Sequence, residues 1–136
     1  MSRSLVVTLT CGPEALERMA QALTVATTAQ AAGIPVSVWL TGEATWLATP
    51  GYAERLHLPH SAAFADLRDA LLAGDAVTVC TQCAARREIE APDLLPGARI
   101  AGAATFVDAA LADEGGRPGD PDRKSTRLNS SHCTPS

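Results

Sequence analysis

Two cysteines three residues apart, Cys80 and Cys83, stand in the run Val77-Thr78-Val79-Cys80-Thr81-Gln82-Cys83-Ala84-Ala85-Arg86-Arg87. A thiol reacts as its thiolate, so a reactive cysteine needs something that stabilises negative charge: a helix N-terminus, a nearby cation, or both. This segment offers both. The β-branched run up to Cys80 reads as a strand, and Thr81 is placed to cap a helical turn running through Arg87. Free N–H groups of residues 82–84 would then be directed at the Cys80 sulfur. Cys83 falls in the first turn, and Arg86 and Arg87 follow it at helical steps of three and four. The candidate catalytic residues are therefore Cys80, Cys83 and Arg86.

The same side chains admit other readings. A cysteine ending a strand is often only a small buried hydrophobe, and Cys83 by itself reads equally as a resolving thiol or as a packing residue. A CxxC tetrad is also half of a tetrahedral zinc site, but the sequence has no second CxxC and no HxxxH, so no metal is expected. His57 and His60 flank Leu58-Pro59 and read as solvated loop residues. Cys11 precedes Gly12-Pro13-Glu14, a helix start that would polarise a thiol or merely bury it in a turn. That turn lacks the glycines of a phosphate-binding loop and Pro13 removes an N–H donor, so no cofactor is expected there.

The elements that must position these residues follow from periodicity. Leu5–Thr10 is a strand covered on both faces. It leads through Gly12-Pro13-Glu14 into a helix with Leu16, Met19, Leu23 and Ala26 on one face, closed by Gly33 and Pro35. Pro35–Leu40 reads as a second strand, and Thr41-Gly42-Glu43 turns into a short helical segment around residues 44–48. An irregular connection runs to His60. Ser61 then caps a helix carrying Phe64, Leu67 and Leu71 and ending at Gly74, before the third strand, Ala76–Cys80. A fourth strand over Arg99–Ala103 and a last helix over Thr105–Ala112, with Val107 and Leu111 on one side, complete the pattern. Alternating strands and helices predict an α/β fold: a mostly parallel sheet with helices on both faces and function beyond the carboxyl ends of the strands.

Length and composition bound the rest. The 136 residues suit one domain, and 46% apolar but only 4% aromatic residues require a core of Ala, Leu and Val. The formal charge of −4 without a basic stripe argues against nucleic acid. No apolar run nears the ~20 residues of a membrane span, and no signal segment opens the chain, so a cytoplasmic protein with reduced thiols is expected. From Gly115 the sequence becomes GGRPGDPDRKSTRLNSSHCTPS, which holds the chain's one Lys (Lys124) and one Asn (Asn129). The reading is a domain over residues 1–114 and a disordered tail over 115–136. Its segment 124–132 resembles the translated read-through of a sequencing adaptor, and the tail is read as artefactual from about residue 123.

Over roughly residues 4–112 the sequence resembles the DsrE/DsrF/TusD-like family of small sulfur-relay proteins. The likeness rests on the opening strand and Ala-rich helix closed by Gly33, on Val36–Leu40 with Thr41-Gly42-Glu43, and above all on Val77–Arg87. The segments Leu94-Leu95-Pro96-Gly97 and Ala101-Gly102-Ala103 add to it. The resemblance implies a flavodoxin-like three-layer fold, a persulfide on Cys80, a basic residue at Arg86 or Arg87, no tightly bound cofactor, and homo- or hetero-oligomers, commonly trimers or hexamers. Glu88 departs from it, since many relatives have Gly there. Three functions stay in view: a sulfurtransferase-like carrier working between sulfur donor and acceptor proteins, a thiol–disulfide redox protein or sensor using Cys80 and Cys83, and a non-catalytic oligomeric binding module. Trp39, Trp46, Leu47 and Tyr52 are expected to form an outward apolar set that a homotrimer or homohexamer would cover.

Overall fold

The computed structural model describes residues 4–111 and 126–129. Five strands, β1 (Leu5–Leu9), β2 (Val36–Leu40), β3 (Val77–Cys80), β4 (Arg99–Ala101) and β5 (Thr126–Asn129), form one parallel sheet in the order β4-β3-β2-β1-β5. From β1 to β4 the chain steps across the sheet in one direction. Right-handed crossovers then place every intervening helix on one face. These are α1 (Leu16–Ala31), α2 (Phe64–Ala73) and the short α3 (Thr81–Arg86). The passage from β4 to β5 reverses direction, so α4 (Ala103–Leu111) falls on the opposite face. The predicted α/β fold with helices on both faces is the observed one, with an all-parallel sheet.

Strand alternation sorts the core into two layers. Val7, Leu9, Val38, Leu40, Val77 and Val79 pack with Met19, Leu23 and Ala26 of α1 and Phe64 and Leu71 of α2. Val6 and Trp39 face the other way, against Ala110 and Phe106 of α4. Trp39 is only 3% exposed, and its ring meets Phe106 edge to face with centroids 5.2 Å apart. Such a pair adds roughly 0.5–1.5 kcal/mol beyond the area it buries.

This arrangement corrects several expectations. Trp39 and Leu47 (1% exposed) are interior, and Trp46 and Tyr52 lie half-buried against the core, so the outward apolar set is not outward. Trp39 is covered by α4, whereas Leu47, Trp46 and Tyr52 pack into the core on the other face of the sheet. On α4 itself Phe106 and Ala110 face the sheet, while Val107 (48%) and Leu111 (45%) are the exposed pair. The α2 cap position is Ala63, not Ser61, whose hydroxyl instead donates to the Ala62 carbonyl at 2.9 Å. Residues 126–129, read as part of a disordered tail, form β5 on the edge of β1. An open strand edge accepts extended backbone through main-chain hydrogen bonds, and that pairing leaves no hydrophobic signature to read. The rest of the tail, residues 115–125 and 130–136, lies outside the described residues.

The irregular connection before α2 is tied down by charge. Arg68 of α2, 6% exposed, makes a two-pronged contact with Glu54 (2.9 and 2.7 Å) and also reaches Asp69 at 2.9 Å. The Arg68 hydrogen bonds hold the Glu54 carboxyl down at about 2.

Candidate functional site

Strand β3 enters α3 without a linker. Cys80 keeps extended dihedrals (φ −66°, ψ 128°) and is both the last strand residue and the N-cap, so Thr81 is the first helical residue and not the cap. The helix closes one residue earlier than expected, at Arg86, with Arg87 as C-cap. Cys83 is thus the third helical residue, at the position whose side chain folds back towards the N-cap in a capping box.

The Cys80 thiol is half-buried and that of Cys83 is buried. Burial alone would raise the Cys80 pKa. It is outweighed by the backbone N–H of Cys83, the Cys83 side chain, the N–H of Gln82 and the charge of Arg86, so the thiol ends below its ordinary value. The thiol completes no full cap hydrogen bond. The helix start favours the thiolate instead through N–H groups oriented towards the sulfur.

Arg87 has a different task from Arg86. Its Nε and Nη2 donate to one carboxylate oxygen of Glu43, at 3.0 and 2.8 Å, and its Nη1 donates to the carbonyl oxygen of Cys83 at 3.1 Å. Glu43 was not singled out as a site residue by the sequence. The signal available was an acid directly after Gly42 at the carboxyl end of β2, on the same sheet edge as the arginine pair.

The chain leaves α3 through Glu88, whose φ of +55° lies in the left-handed region. The N–H groups of Glu88 and Ile89 bond back to the carbonyls of Ala85 (3.1 Å) and Ala84 (2.9 Å). This is the helix-ending position that glycine fills without strain, which gives a backbone reason for the Gly that the family resemblance implies there.

Cys11 stands at the end of β1 and is fully buried, its Sγ 3.8 Å from the Ala15 carbonyl oxygen. With β2 between them, β1 and β3 lie about 10 Å apart, so the fold does not bring Cys11 to Cys80 for direct bonding. Gly12 is packed so closely that a Cβ there would come within 2.8 Å of the Glu43 Cβ and 3.4 Å of the Tyr52 hydroxyl. Burial, then Glu43 and Glu14, raise the Tyr52 pKa. His57 and His60 are exposed. Among the described residues no group of three or more His, Cys, Asp or Glu side chains is placed to hold a metal ion, and no helix is long and apolar enough to cross a membrane.

A sequence profile of the DsrE/DsrF-like family matches residues 3–114. The chain belongs to the DsrE/DsrF-like family. The match takes in all of β1 to β4 and the Cys80 site, and it leaves β5 outside. Among solved structures, this DsrE/DsrF-like chain is similar to the crystal structure of the YchN protein from E. coli. The TM-score is 0.68 at 16% identity, covering 93% of this chain and 99% of that one. At that identity the likeness is one of fold. No match was found among the curated proteins.

Proposed function

We propose that this DsrE/DsrF-like protein is a sulfur carrier in which Cys80 accepts sulfane sulfur from a donor protein, holds it as a persulfide, and passes it to an acceptor protein. The observation that carries this reading is the placing of Cys80: a half-buried thiol at the carboxyl edge of a parallel sheet, in the cap position of a helix, with its pKa lowered by helix N–H groups, Cys83 and Arg86. Those groups would serve the carrier twice, since they stabilise both the attacking thiolate and the terminal sulfur anion of the persulfide. Family membership supports a relay role with partner proteins. A closed homo-oligomer, a trimer or hexamer, is part of the proposal. Light scattering tests it: a monomer mass at micromolar concentration removes that part.

The test of the carrier is mass spectrometry after incubation with a persulfide donor. One added sulfur on the Cys80 peptide, absent in Cys80→Ser, supports the role. No added sulfur, or equal labelling of the variant, removes it.

A further inference from the structure

Cys83 stands within disulfide reach of Cys80. It is the third residue of α3 and Cys80 is the N-cap, a spacing that sets their Cα atoms about 5–6 Å apart, inside the roughly 4.4–6.8 Å that a disulfide spans. Cys83 is only 9% exposed, so thiols from solution meet Cys80 first. Its backbone is also held: Arg87, clamped by Glu43, grips the Cys83 carbonyl at 3.1 Å.

We propose that Cys83 is a resolving thiol that empties Cys80 when no acceptor takes its cargo. The inference rests on the carrier reading for the nature of that cargo. In the step, Cys83 Sγ attacks Cys80 Sγ and a bond forms between the two cysteine sulfurs. The bond from Cys80 Sγ to the outer sulfur breaks, and the outer sulfur leaves with the electron pair as hydrosulfide, taking up the proton lost by Cys83. The Cys83 sulfur is oxidised by one electron equivalent and the departing sulfur is reduced by one, so no external oxidant enters. A thiol reductant returns the disulfide to the dithiol. The same attack would expel glutathione from a mixed disulfide on Cys80.

The test uses the full chain in a Cys133→Ser background, with Cys83→Ser and Cys83→Ala variants. Cys80 is loaded in one arm with sulfane sulfur from glutathione persulfide, and in the other with glutathione from oxidised glutathione. With Cys83 present the adduct is expected to leave as sulfide or glutathione, and peptide mapping is expected to find a Cys80–Cys83 disulfide. Both variants should hold the adduct at least about tenfold longer, because a neighbouring thiol acts at millimolar or higher effective concentration. If the glutathione adduct lasts as long with Cys83 as without it and no disulfide forms, the inference is overturned. If sulfur loads on none of the proteins while the glutathione arm behaves as expected, the carrier reading falls and the resolving role stands.

Discussion

Arg87 and Glu43, 44 residues apart in sequence, join the turn after β2 to the C-terminal end of α3 through a 2.8 Å ion pair. The glutamate is half exposed, so the pair should contribute less than about 1 kcal/mol to stability. Its greater effect is on Cys83, whose carbonyl the same guanidinium holds. Glu43→Gln is expected to leave the denaturant midpoint nearly unchanged while raising amide exchange in α3 and the alkylation rate of Cys83. Unchanged exchange and alkylation would show that the pair positions nothing.

The pH dependence of Cys80 alkylation should have its midpoint below that of an unperturbed cysteine thiol. Cys83→Ala removes one of the groups that lower it and should move the midpoint up, whereas Cys83→Ser keeps a donor and should move it less. Arg86→Ala should also raise it, by less than Cys83→Ala because its charge contributes least. A midpoint at or above the free value would contradict the electrostatic account of the site.

Glu88 occupies a left-handed conformation at φ +55°. Glu88→Gly should stabilise the protein by about 0.5–1 kcal/mol, the relief of left-handed strain exceeding the added entropy of the unfolded glycine. The measurement is a urea midpoint that rises at constant slope.

Glu54 titrates at about 2 in the folded protein, against an ordinary value of 4.5. A depressed carboxyl stabilises the fold fully above its unfolded pKa, and that contribution is lost as pH falls from about 4.5 to about 2. Glu54→Gln should therefore flatten the fall in stability across that interval. An identical acid profile in wild type and variant would count against the Arg68 pairing.

Phe106→Ala should destabilise the fold by about 2–3 kcal/mol, somewhat under the cost of emptying a fully buried ring site because Phe106 is itself only half-buried. Measured in a Trp46→Phe background, the emission of Trp39 should shift to the red as its cover is lost. Emission that stays put would mean that α4 does not shield Trp39.

The local features of the site were legible in the sequence because each is written in adjacent residues. A β-branched run ending in Cys80 and passing directly into a helix-forming segment puts a thiol at a helix start, and Gly33, at φ +85°, ends α1 by backbone chemistry alone. Alternating elements likewise implied the parallel sheet. Three things waited for the tertiary structure. The inward or outward sense of an apolar residue depends on which face a later helix covers, and the reversal of winding after β4 put Trp39 beneath α4. The partner of Arg87 lies on another strand's turn, and no local period carries a contact across 44 residues. The pairing of Thr126–Asn129 with β1 is made by main-chain groups that every residue but proline carries in full, so composition does not reveal it.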